Sequence, residues 1–231
     1  MWQELREELH PKGFEIVTVA LDVNPEAARP WIEAAHPTHP SLIDSNHVVD
    51  EKLGMVNVPN GVWFNEEGII VRPAEPAAAN NKLPRAAFRE LPPDTPDHIR
   101  DMMAEARKLR YEHAKYDAAL RDWVDKGSES AYALTPEQVV ERSGKRETAE
   151  STAAAHFELG SHLWQAGHHD LAPPHWREAH RLQPNNWTYK RQAWVLADPM
   201  QRQTDLYDSN WLDDTRKVGA ENYYPPLRLD D

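Results

Sequence analysis

The sequence predicts an α/β domain followed by an all-α domain. Three observations carry this expectation. Residues 1–76 alternate helical-period segments with short β-branched runs. Residues 95–231 hold apolar positions at spacings of three and four, and residues 77–94, rich in Ala, Asn and Pro, keep no sustained period. A length of 231 residues, 40% of them apolar, suits two modest cores. The expected organisation is a domain over 1–76, a linker over 77–94 and a helical domain over 95–231.

In the first region Trp2, Leu5 and Leu9 lie at helical spacing among charged residues, and Pro11 and Gly13 stop the run. Residues 14–22 form an almost wholly apolar, β-branched run of the kind buried on both faces of a parallel sheet. Asn24-Pro25 opens a helix carrying Ala28, Trp31, Ile32 and Ala35, which Pro37 and Pro40 end. A short strand over 40–44 and a short helix over 48–53 follow. Val62-Trp63-Phe64 and Ile69-Ile70-Val71 are joined by Asn65-Glu66-Glu67-Gly68, and a four-residue connection ending in Gly predicts a hairpin.

That order, with Val56-Asn57-Val58-Pro59-Asn60 directly ahead of the hairpin, resembles the thioredoxin-like redoxins of the TlpA/ResA and peroxiredoxin-related group. Gly13, Asp22, Gly54, Pro59 and Gly68 fall in matching order. The resemblance implies a thioredoxin-like α/β domain, incomplete at its N-terminus, whose intact relatives perform thiol–disulfide or peroxide chemistry. It also implies a cis Val58–Pro59 peptide facing a Cys-x-x-Cys motif at the start of the first long helix, and X-Pro is the linkage where cis is cheap. Val58, Pro59 and Asn60 would then line the site. Asn60 departs from the threonine or similar small residue usual there.

The chain contains no cysteine. Since thiolate is the nucleophile such domains use, no catalytic residue is expected within this chain, and thiol-dependent turnover should be absent. The resemblance puts the missing motif at the N-terminus of the helix whose remainder is residues 1–10, where the helix dipole favours a thiolate. The expectation is a reading frame that continues upstream of Met1 through a strand and a cysteine or selenocysteine. The helical extension is similar to that of ResA-like proteins carrying selenocysteine. The alternative is a naturally cysteine-free, non-enzymatic scaffold that binds protein.

In the second region Thr95-Pro96 reads as a helix start, with Thr as cap. Ile99, Met102, Ala106, Leu109, His113, Tyr116, Leu120 and Trp123 predict one continuous apolar stripe ending at Gly127, with His113 as a packing residue. Thr135-Pro136-Glu137-Gln138 has capping-box spacing. From Ala153 onward, Leu159, Gly160, Leu163, Gly167, Ala172, Trp176, Ala179 and Pro184 fall on the tetratricopeptide (TPR) pattern, in which small residues let two antiparallel helices approach while a large one fills the gap. Residues 187–197 resemble the first helix of another repeat. One repeat cannot bury its face alone, so the stripe over 95–123 is the expected partner of this TPR-like domain.

Several function classes are excluded or disfavoured. Twelve histidines are present, yet none of the pairs formed by His156, His162, His168, His169, His175 and His180 has metal-ligand spacing within one helix, so no metal and no cofactor are expected. A formal net charge of −12 argues against nucleic acid. No stretch is long and apolar enough to span a membrane, and residues 1–13 lack a signal-peptide core, so a cytoplasmic location is expected. The acidic pairs Asp213-Asp214 and Asp230-Asp231 read as solvated charge. The aromatic tail, Trp211 with Tyr223 and Tyr224, shows no helical period and should pack back on the domain or meet a partner. The expected partner is a protein, recruited by the helical domain.

Overall fold

The computed structural model describes residues 2–77, 91–200, 202, 206–207 and 209–229. Most of the expected linker, residues 78–90, and the Asp230-Asp231 pair lie outside the described residues. The described residues form ten α-helices and two short strand pairs. They divide into two compact units that interleave in sequence. Unit 1 takes residues 2–77, 112–146 and 226–229, and unit 2 takes 91–111 together with the described part of 147–225. This division differs from the boundaries at 76 and 95, because residues 112–146 belong with the strands.

In unit 1, α1 (Trp2–Leu9) buries Leu5 and Leu9 one turn apart. Strand β1 covers Thr18–Leu21 alone and runs parallel to β2 (Ser41–Asp44), in a register from Thr18↔Ser41 to Leu21↔Asp44. Residues 14–17, expected in the same strand, stay unpaired because the four-residue β2 is the partner available. The expected burial on both faces is also not met: β1 is half-buried and Val17 is 55% exposed. Helix α2 (Pro25–Ala35) starts as expected, with the Asn24 side chain accepting from the Glu26 amide. It buries none of its residues, and Trp31 is 78% exposed. The short α3 (Val48–Leu53) ends at Gly54, whose φ of 70° suits glycine.

The hairpin forms as predicted, β3 (Asn60–Phe64) lying antiparallel to β4 (Ile70–Pro76). Its turn is written in side chains: Asn65 Oδ1 accepts from the Glu67 and Ile69 amides, and Gly68 takes a φ of 77°. Against the hairpin pack α1, α5 (His113–Lys126) and the Leu134 amide, which donates to the Val71 carbonyl at 2.8 Å. The core holds Leu5, Leu9, Trp63, Val71, Tyr116 and Leu120. Trp63 Nε1 donates to Tyr116 Oη at 2.9 Å, and the Trp63 ring stacks on Trp123 at 5.0 Å. Helix α6 (Pro136–Ser143) opens on the predicted capping box between Thr135 and Gln138.

In unit 2 the expected single stripe is interrupted. α4 (Asp97–Ala106) ends before residue 107, and α5, which begins at His113, belongs to unit 1. The cap of α4 is Pro96 rather than Thr95. Met102, Ala106 and Leu109 pack against the core of unit 2, whereas Tyr116, Leu120 and Trp123 enter the core of unit 1. That core is built on α7 (Thr148–Gln165), α8 (Ala172–Leu182) and α9 (Trp187–Ala197), with Phe157, Trp176, Tyr189, Trp194 and Tyr207 at its centre. The tail is more regular than its pattern indicated. Asn210 caps α10 (Trp211–Val218), which buries Trp211 and Thr215, and Tyr223 and Tyr224 pack back on the cluster.

Candidate functional site

The Pro59 turn and its surroundings form the first candidate. Gly54 stops α3, and the chain returns through buried Asn57, whose Oδ1 accepts from the Val58 amide at 2.8 Å. The Val58–Pro59 peptide is cis, as expected. Pro59 is exposed and Val58 half-buried, while the Pro59 carbonyl accepts from the Ala77 amide at 3.2 Å and so fastens the turn to the end of β4. Asn60 begins β3 opposite Pro76, and its Oδ1 is buried with no hydrogen-bond partner. Gly61 is required next to it, because a methyl group there would lie 2.8 Å from both the Ala77 Cβ and the Tyr116 hydroxyl. The turn is thus a ledge with an exposed proline above a buried, unpaired acceptor. It carries no nucleophile, in keeping with a chain free of cysteine.

A second cluster, not foreseen from the sequence, stands at the carboxyl ends of the parallel strands. His47 Nδ1 and Asp50 Oδ2 are 2.9 Å apart, with side chains 2% and 0% exposed. Asp50 Oδ1 is buried without a donor. Nearby, burial raises the Asp22 carboxyl above its ordinary value, although the Asn24 amide and the His47 charge oppose this. Asp44 is committed to the Asn46 and Val49 amides. The signal in the sequence was the spacing of three between His47 and Asp50, which puts both side chains on one turn. An Asp that orients an imidazole is a general-base arrangement, but here the ring is sealed in the protein. Its work is to tie the exit of β2 to α3.

The residues of the expected repeat pattern divide by role. Gly160, Ala172, Trp176 and Ala179 are buried where α7 and α8 cross, and Leu163 packs at the margin. Gly160 lies against Ala172 and Trp176, and His156 meets His175, so these faces of α7 and α8 pack on each other. Three expected packing residues do something else. Gly167 is exposed and supplies a φ of 85° to the turn after α7, Pro184 is exposed beyond α8, and Leu159 is 43% exposed.

The histidines do not gather into a metal centre. Among the described residues no group of three His, Asp or Glu side chains could hold a metal ion. His156 and His175, on different helices, bring their Nδ1 atoms to 3.0 Å, a distance at which one ring donates and the other accepts. His180 is buried against the Tyr207 hydroxyl. Burial foremost, with the Lys190 charge behind it, lowers its pKa from 6.5 to about 3, so the ring is neutral at physiological pH. Among the described residues no helix is long and apolar enough to cross a membrane. No protein-family model, curated protein or solved structure matches the chain.

Proposed function

We propose that this chain is a redoxin-type scaffold of the TlpA/ResA kind that binds polypeptide without performing thiol chemistry. The observation that supports this reading best is the ledge at Val58, Pro59 and Asn60: an exposed proline opening an antiparallel hairpin in a unit that also holds a parallel strand pair. In intact redoxins such a turn lies beside the reactive thiol. With no cysteine in this chain, what remains is the exposed Pro59 and the backbone around it. The intended partner is a protein, and a cytoplasmic setting belongs to the same proposal.

Two measurements test it. In a dithiothreitol-coupled insulin assay the purified chain should give no turnover above the reductant alone, because no side chain can form the mixed disulfide. In a nitrogen-15 titration with reduced insulin B chain, the amides of Val58, Asn60 and Gly61 should shift. Turnover above background, or shifts that spare these three amides, would overturn the reading.

A second reading gives the binding role to unit 2. It is favoured by the exposure of Leu159 and Leu171 around the α7–α8 pair, where the repeat pattern expected packing at Leu159. In that case the B-chain shifts fall on α7 and α8.

A further inference from the structure

Residues 226–229 cross unit 1 as a segment whose backbone is read by side chains from three other elements. The Leu227 amide donates to Glu112 Oε2 at 2.6 Å, and the Leu227 carbonyl accepts from Lys115 Nζ at 3.1 Å. The Arg228 carbonyl accepts from Arg72 Nη2 and from Arg142 Nη1, each at 2.6 Å. Arg72 is itself 1% exposed and is also held by the Tyr132 carbonyl and by Glu75, both outside the segment. Burial alternates along the segment: Leu227 and Leu229 are each 5% exposed and join the core, while Pro226 and Arg228 face solvent.

Main-chain bonds that supply affinity, with alternate side chains sunk into apolar ground, are the physics of extended-peptide recognition. Here four ionic side chains spend hydrogen bonds on the main chain of two residues, Leu227 and Arg228. The side chain between the leucines makes no demand, because Arg228 is exposed.

We propose that unit 1 carries a binding groove for an extended Leu-x-Leu peptide, and that residues 226–229 occupy it as an intrachain ligand. The groove is lined by Arg72, Glu112, Lys115 and Arg142, and it tolerates any residue between the leucines. This inference does not rest on the redoxin reading, since none of these residues belongs to the Pro59 ledge. A tethered segment faces its groove at an effective concentration in the millimolar range, so a free peptide competes poorly until the tail is weakened.

The test uses the full chain carrying Leu227→Asp and Leu229→Asp, and a fluorescein-labelled peptide Pro-Pro-Leu-Arg-Leu. Fluorescence anisotropy should report binding at least about tenfold tighter to the variant than to the unaltered chain. A control peptide with aspartate at both leucine positions should not bind. A folded variant that takes up the peptide no better than the unaltered chain overturns the proposal, as does equal binding of the control. If the variant does not fold, the unaltered chain decides. Millimolar peptide should then accelerate hydrogen exchange over residues 226–229, and unchanged exchange overturns the proposal.

Discussion

A methyl group added at Gly160 would lie 2.6 Å from Trp176 Cδ1, 2.7 Å from its Nε1 and 3.2 Å from the Ala172 carbonyl oxygen. Carbon atoms in contact normally rest about 3.5–4.0 Å apart, so something must move. Trp176 is wholly buried, with the Trp164 and Tyr207 rings against it, and has no free direction in which to yield. Two effects oppose one another in Gly160→Ala. Replacing a mid-helix glycine gains about 0.5–1 kcal/mol, whereas forcing a methyl into a filled interface costs about 1–3 kcal/mol. Packing wins, and Gly160→Ala should destabilise unit 2 by about 0.5–2 kcal/mol. Gly160→Leu, with three more carbons to place, should reach the upper end of the overpacking range, about 3 kcal/mol. Each kcal/mol lowers the melting midpoint by about 2–4 °C in a chain of this size. Near-UV circular dichroism follows the buried tryptophans directly. Ser151→Ala, on the exposed start of α7, serves as a control expected to stay within about 0.5 kcal/mol of the unaltered chain. A Gly160→Ala protein melting at or above the unaltered one would refute the crossing of α7 and α8 at this residue.

Three further perturbations address other contacts. His180 is neutral in the native unit down to about pH 3, but the unfolded chain takes up a proton below 6.5, so acid favours unfolding across that window. Asp214 nearby pulls toward the charged form and is outweighed by burial. His180 should therefore remove up to about 1.4 kcal/mol of stability per pH unit between 6.5 and 3, and urea midpoints of His180→Gln should fall less steeply with acid than those of the unaltered chain. Identical slopes would show that the ring charges without penalty. Tyr116→Phe removes the acceptor of the buried Trp63 indole and should cost about 1–3 kcal/mol, read from urea unfolding. Asp50→Ala removes a buried hydrogen-bond partner of His47 and should cost unit 1 about 1–3 kcal/mol while leaving the unfolding of unit 2 in place; a loss under about 0.5 kcal/mol would mean the pair is dispensable.

What the sequence made legible was whatever a side chain encodes locally. Asn65 and Gly68 specify their turn by hydrogen bonds and a positive φ, Thr135 and Gln138 cap each other, and the small residues at Gly160 and Ala172 match a large one at Trp176. The break over 107–112 was illegible because the apolar spacing runs straight through it, from Ala106 and Leu109 to His113. Nothing in a period tells which core each half enters. Helix α10 escaped notice because eight residues with two buried positions give too little period to detect. Residues 14–17 have strand chemistry, but pairing depends on a partner that the run itself does not contain. For the candidate site, Pro59 was marked by its place before the hairpin, while the His47–Asp50 pair and the seat of Leu227 and Leu229 depend on tertiary contacts.

The interleaving of the two units sets an order on biosynthesis. Unit 1 begins with α1 yet needs Leu227 and Leu229 to complete its core, and the whole of residues 147–225 is made in between. At about 5–20 residues per second, some 10–50 s separate Leu5 from Leu229 on the ribosome. Throughout that interval the nascent first unit holds Trp63, Tyr116 and Leu120 beneath an unfilled position, whereas unit 2 acquires α7, α8 and α9 in one uninterrupted stretch. The part of unit 1 made before residue 147 therefore waits on the last residues of its core, and it stays open to chaperones and proteases until Leu227 and Leu229 arrive.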